Sequence, residues 1–202
     1  MKTNHKLFIF LIFPVFIFGQ KKYKYSYKEG YGFLAEAQKM IKEDKIKSAK
    51  ILINKAKRTN YGFCGNAWID ANSQITLLEV QVLNKENNYD QSLNILDSLD
   101  ECSYGADCDT RDYLKIETLI LKFGKEKVKN AFKNVNKVSI INDYDYGESY
   151  SAFIKDLNYN FNFTARQIIF VDENGKKVPK NVTDNEFLNI AQNQPFYSLL
   201  KE

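Results

Sequence analysis

The side chains equipped for chemistry are few and unevenly placed. The chain has one histidine, His5, and three cysteines, Cys64, Cys102 and Cys108. His5 falls in a stretch that reads as a leader, so the exported chain has no histidine. A Ser–His–Asp or Cys–His relay is then excluded, together with any metal site that needs an imidazole. Carboxylates, lysines and tyrosines remain, but the commonest general acid–base is missing. No GxGxxG, GxxxxGK[ST] or GxSxG occurs in the sequence, so it carries no nucleotide or hydrolase signature of those types.

Cys102 and Cys108 enclose the five residues SYGAD. In an oxidising compartment the expected bridge joins Cys102 to Cys108, with Cys64 paired to either, or three free thiols, as the alternatives. So small a closed loop stabilises by about 2–3 kcal/mol on a chain-entropy view, and serves mainly to pin the loop. Three thiols with no fourth ligand do not make a metal site. Asp143, Asp145 and Glu148 form an acidic, glycine-containing run that offers oxygens to Ca²⁺, yet lacks the length and alternation of an EF-hand loop and reads as a solvated connector. Asp107, Asp109 and Asp112, with Asp100 and Glu101, read as acids favoured by a helix N-terminus. Tyr159, Phe161 and Phe163 alternate with asparagines, which sends the rings to one face of a strand. A stacking platform for sugars or bases is one use of such a row, and the buried face of a sheet is the expected one.

These groups need a frame, and the N-terminus says where that frame is built. Lys2 and Lys6 precede an apolar run at residues 7–18, then Gly19 and a polar stretch. A run of twelve is too short to cross a bilayer, which takes about 20 residues, so residues 1–20 read as a cleaved signal peptide. Cleavage lowers the count of Lys plus Arg from 29 to 27, by Lys2 and Lys6, against 25 acidic residues. The apparent basicity largely disappears, so a nucleic-acid or acidic-membrane reading loses its main support and nucleic acid is not an expected partner. The exported chain has no transmembrane span in this reading and belongs in the periplasm or outside the cell.

The organising stretch is residues 66–101. Trp68, Ala71, Ile75, Leu78 and Val82 recur at helical spacing, a polar turn follows at Lys85–Asn88, and Leu93, Leu96 and Leu99 mark a second helix from Tyr89. Two apolar-faced helices joined so closely pack antiparallel. An equivalent pair is predicted over residues 31–58. Phe33, Ala37 and Met40 mark its first helix, Glu43-Asp44-Lys45 its turn, and Ile46, Ala49, Ile53 and Ala56 its second. A third pair follows, with Tyr113, Ile116, Leu119, Ile120 and Phe123, then a break at Gly124, then Val128, Ala131, Phe132 and Val135. Residues 21–30 read as a basic, tyrosine-rich lead-in, a solvated tail rather than an edge strand. Beyond residue 138 a small α+β tail is expected over residues 139–202. It comprises a short helix at residues 149–157, two or three antiparallel strands at 158–179 with a hairpin turn at Asn174-Gly175, a helix capped by Thr183 or Asp184, and a last turn from Pro195.

The second helices, with a small residue at Ala49, Ser92 and Ala131 and apolar residues beyond it, resemble those of the tetratricopeptide (TPR) repeat. The spacings of 43 and 39 residues exceed the usual period of about 34, and the Trp, Leu and Gly marks of the first helix are mostly absent. The likeness covers residues 31–138 and is one of architecture. It implies a mainly α fold, an antiparallel helix-pair solenoid of about three pairs carrying a small C-terminal α+β element. It also implies a protein or peptide partner held by the first helices, where Gln38, Gln74, Gln81 and Lys122 are the candidate contacts. The expected function is an exported, non-enzymatic scaffold or adaptor without a cofactor. Two alternatives are an envelope enzyme using Asp143, Asp145 and Tyr159, and a toxin-neutralising or stress-related envelope protein.

Overall fold

The computed structural model describes residues 23–99, 108–144, 147–165 and 183–201, with the backbone alone at residue 137 and over the strand residues 139–144 and 147–148. Among these, the chain is mainly helical with one small antiparallel sheet. The expected leader and the Asn174-Gly175 turn both lie outside the described residues.

Three apolar clusters follow one another along the chain. Helix α1 (Tyr27–Lys42) buries Leu34, Ala37 and Ile41, and α2 (Ile46–Ala56) buries Ala49, Ile53 and Ala56. Asp44, at φ 59, makes the left-handed turn between them. Helix α3 (Gly65–Lys85) closes this first cluster with Ile75, Leu78 and Val82. The opposite side of α3 is buried too. Leu77 and Val80 meet Leu96 of α4 (Tyr89–Ser98) and Leu114 of α5 (Cys108–Phe123). Ser92 is fully buried on α4, where a larger side chain would push the helix off α3. The cadence read from Trp68 to Val82 therefore gives one buried side correctly, with Trp68 itself only half-buried at the end of the stack. The second side of α3, with Ser73, Leu77, Val80 and Asn84, fits a middle helix flanked on both sides.

The lead-in differs from expectation. Tyr25 forms a parallel bridge with Thr59, the Lys24 N–H donates to the Arg58 carbonyl at 2.9 Å, and the Asn60 N–H donates to the Tyr25 carbonyl at 3.0 Å. The segment is extended and zipped to the loop after α2 because its rings have places to pack. Tyr25 lies edge-on to Phe33 and Tyr23 lies 5.2 Å from Trp68. Ser26 then caps α1 in a reciprocal box with Glu29. Helix α1 therefore starts at Tyr27, inside the stretch expected to be a tail. Gly30 is buried against the loop after α2, and a Cβ there would come within 2.4 Å of the Thr59 methyl, so the close approach requires glycine.

The third pair is cut short. Helix α6 (Lys125–Ala131) is followed by a 3₁₀ turn at Phe132–Asn134, and Val135 already begins strand β1 (Val135–Tyr144). Val135 belongs to a strand, not to the sixth helix, and the change of character comes before residue 139. Strand β2 (Gly147–Ile154) occupies most of the stretch expected to be a short helix, and β3 (Tyr159–Ala165) follows a 3₁₀ turn at Lys155–Leu157. The described sheet is thus a β1-β2-β3 meander over residues 135–165; β3 coincides with the start of the strands expected at 158–179, and the remainder of that stretch lies outside the described residues. Period-two alternation was legible in β3. In β2, Tyr150, Ala152 and Ile154 alternate as cleanly but were masked by serines and an alanine that suit either state.

The sheet's inner face pairs Tyr150 with Phe163 and Ala152 with Phe161. Phe161 and Phe163 are fully buried, so the aromatic row is a core face. Phe132 from the turn after α6, Phe187 from α7 (Asp184–Gln192) and Phe196 from the terminal 3₁₀ turn (Pro195–Leu200) close on it edge-to-face. Thr183 caps α7 as expected, accepting from the Glu186 N–H at 3.3 Å. Ile116 and Leu119 of α5 lie in this same cluster, so the C-terminal element is built onto the third pair and shares its core.

Candidate functional site

Of the four candidate contact residues, three lie on one side of the stack. Gln38 is exposed on α1, and Gln74 and Gln81 are half-exposed on α3 between its two buried sides. The same side carries Tyr31 and Asp70, whose hydroxyl–carboxylate bond of 2.6 Å ties α1 to α3, and Gln74 donates to that carboxylate at 3.0 Å. Burial, and then the Asp70 contact, push the Tyr31 hydroxyl well above the usual tyrosine range. On α5 the matching positions are Tyr113, Glu117 and Leu121. Tyr113 and Leu121 are exposed. The Glu117 carboxyl is pushed up by burial, against the pull of Lys85 on α3. Lys122 does not belong to this side. It turns toward α4, where its Nζ donates to Asp90, and lies 4.9 Å from the Phe123 ring. A helical step of 100° separates it from Leu121, and spacing alone did not say which of the two neighbours faced out.

On the other side, α2, α3 and α4 enclose a cleft of about 340 Å³ lined by Lys50, Ile53, Glu79, Glu86, Gln91 and Ile95 among others. Its charges are already matched. Lys50 meets Glu86 at 2.6 Å, and Lys57, just beyond the cleft, meets Glu79 at 2.5 Å.

Sequence reading missed a third feature, a buried ionic network between α4, α5 and β3. Asp112, expected as an acid favoured near a helix N-terminus, lies in the early part of α5 but is 2% exposed. Its Oδ1 accepts from Arg111 Nε and Nη2, both at 2.8 Å, and its Oδ2 accepts from the Thr164 N–H at 3.1 Å. Arg111 also donates to the Leu99 carbonyl at 2.7 Å. Lys115 is fully buried, with its Nζ on the Asn162 carbonyl at 3.3 Å, on the Asn162 side-chain oxygen, and on Asp97 at 3.2 Å. Asp97 accepts in turn from the Tyr159 hydroxyl at 2.7 Å. Burial, then the like charge of Arg111, pulls Lys115 down, opposed by Asp112 and Asp97. Burial pushes Asp112 up, opposed by Arg111, Lys115 and the Thr164 N–H. Burial and the charge of Asp97 push Tyr159 far above its ordinary range. Each of the three Lys115 protons and both Asp112 oxygens has a partner, so the network braces the helices against the sheet. Perturbed groups often mark active sites, but here they are engaged with one another. The α5 spacing of Arg111, Asp112 and Lys115, with Lys115 one turn beyond Arg111, was the available signal.

Cys64 is exposed and free, which removes the alternative pairing through it. Cys108 opens α5, and its expected partner Cys102 lies outside the described residues. Asp145 also lies outside them, while Asp143 and Glu148 are backbone partners across β1 and β2. Among the described residues, no three His, Cys, Asp or Glu side chains gather as a metal site, and no helix is long and apolar enough to cross a membrane. No family model matches the sequence, no curated protein matches it, and no solved structure matches the fold.

Proposed function

We propose that this chain is an exported, non-enzymatic interaction module, a TPR-like scaffold or adaptor of the periplasm or cell envelope. It takes a protein or peptide on the side shared by α1, α3 and α5. The supporting observation is the double burial of α3. A helix covered on two opposite sides sits in the middle of a stack, which brings the first helices of successive pairs side by side and leaves one exposed strip across them. That strip combines amides at Gln38, Gln74 and Gln81 with the apolar surfaces of Tyr113 and Leu121, the mixture that lets a polypeptide satisfy its backbone and still bury side chains. The enzyme alternative is weaker because the Tyr159 hydroxyl is already committed to Asp97. A toxin-neutralising role would use the same strip.

The test places a photo-crosslinking residue at Gln81 or, as control, at exposed Ile51 on the far side of α2, followed by envelope co-purification and mass spectrometry. One stoichiometric polypeptide captured from Gln81 and not from Ile51, and weakened by Gln74→Ala with Tyr113→Ala, is the expected result. Capture from Ile51 alone, or a free monomer that turns over a small molecule, would overturn the reading.

A further inference from the structure

Lys115 lies fully buried in the middle of α5, and its Nζ is shared between a carboxylate and a primary amide. Asp97 on α4 stands 3.2 Å from Nζ. Asn162 on β3 meets it twice, with its main-chain carbonyl at 3.3 Å and with its side-chain oxygen. A hydrogen bond to Oδ1 keeps Nζ within about 4 Å of Cγ, because the C=O bond adds only about 1.2 Å. A turn about χ2, a broad torsion in asparagine, presents that carbon to the amine.

An amine, an amide carbon and a carboxylate gathered at one point are the parts of an amide exchange. In water a lysine is protonated and solvated, and an asparagine side chain is inert toward it. Here burial, and then the like charge of Arg111, hold Lys115 below the ordinary lysine range, against the opposing pull of Asp112 and Asp97. That raises the share of free amine, which is the nucleophilic form. Asp97 is placed to take the proton, and its Oδ1 also accepts from the Tyr159 hydroxyl at 2.7 Å, which fixes the carboxylate beside Nζ. The Asp97 side chain is 35% exposed and Asn162 is partly exposed, so a departing nitrogen has a way to solvent. Folding of α4, α5 and β3 has already brought the three groups together, and an encounter prepared in this way needs no further loss of chain freedom.

We propose that Lys115 and Asn162 react with one another to form an internal amide cross-link between α5 and β3, with Asp97 carrying the protons. The Nζ–Cγ bond forms and the Cγ–Nδ2 bond breaks. Two protons pass from the Lys115 ammonium, by way of Asp97, to the amide nitrogen, which leaves as ammonium. No oxidant or co-reactant is needed. The bond joins positions 47 apart in the sequence. It forms once per chain, without turnover, so it is independent of the strip proposed for a polypeptide. The ionic network is the reactant of this step, and a chain that has kept its ammonia keeps the charges of that network.

The test is the mass of the full chain, purified, warmed for several days and then reduced. Loss of one ammonia is expected, and trypsin should then release residues 112–122 and 156–166 as one branched species. The branched species is the deciding readout, because an N-terminal glutamine or Asn174-Gly175 also loses ammonia on cyclising, and neither joins two peptides. Lys115→Arg keeps the positive charge and Asn162→Ala removes the carbon attacked, and both should yield unlinked peptides alone. Asp97→Asn should slow the cross-link at least about a hundredfold, the worth of a positioned proton carrier, with circular dichroism checking that each variant is folded. The parent decides the question even where a variant does not fold. Unlinked peptides alone from the folded parent overturn the proposal. A cross-link that survives Lys115→Arg, or one that forms at the parent's rate in Asp97→Asn, does the same.

Discussion

Asp112→Asn keeps the shape of the side chain and removes only its charge and one acceptor. The carboxylate receives donors on both oxygens, Arg111 on one and the Thr164 N–H on the other. An asparagine has one oxygen, so whichever way it turns, its amide N–H₂ faces a donor. Arg111 and Lys115 then remain buried with only Asp97, at the network's more open edge, as a counter-charge. Breaking a buried pair by removing one partner costs on the order of 3–5 kcal/mol. For a chain of this size that lowers Tm by roughly 6–20 °C. The control removes the three ions of α5, with Arg111→Met, Asp112→Leu and Lys115→Met together. It should cost less than the single change, because the desolvation of three buried ions is no longer required and the charge that remains, Asp97, is about a third exposed and still accepts from Tyr159. Thermal and urea unfolding followed by circular dichroism read both. A single variant within about 1 kcal/mol of the parent, or a triple variant as unstable as the single, would refute the bracing argument.

Tyr159 supplies a pH dependence. Its folded pKa is raised, so the folded state holds this proton more tightly than the unfolded chain, and its contribution is present below the unfolded value near 10 and declines as pH rises past it. Tyr159→Phe should therefore cost about 1.5–3 kcal/mol at neutral pH, the worth of a hydrogen bond to a charged group, and the gap should narrow between about pH 10 and 11 in urea midpoints. A constant gap contradicts the assignment. Gly30→Ala inserts a methyl against Thr59 and Tyr61 and should destabilise by about 1–3 kcal/mol, with the largest loss of hydrogen-exchange protection at Lys24 and Asn60, whose amides zip the lead-in to the loop. A non-reducing peptide map should recover Cys102 linked to Cys108 with Cys64 alkylatable, and alkylation of both Cys102 and Cys108 would remove that bridge.

Much of the architecture was written in local pattern. A 3.6-residue period needs only the side chains of one helix, so α1 to α5 and the Asp44 and Asn88 turns were readable. A helix cap involves only the four residues from Thr183 to Glu186, so the start of α7 was readable as well. The Tyr159, Phe161 and Phe163 row declared a buried strand face because alternation is a two-residue rule. What tertiary structure alone decided was everything that depends on a neighbour. Lys24 and Tyr25 became an extended zipper because the Arg58–Asn60 loop offered its backbone and Phe33 and Trp68 offered ring faces. Residues 147–154 became a strand because β1 and β3 stood on either side to pair with it, where serines and alanine expressed no preference. Asp112 and Lys115 were driven inside by the closing of β3 over α5, a contact between residues some fifty positions apart that no window along the chain contains. For the candidate surface, sequence gave the glutamines of the first helices. Only the packing showed that Lys122 turns away to Asp90 and that Tyr113 and Leu121 take its place, because which side of a helix is open is set by what covers the others.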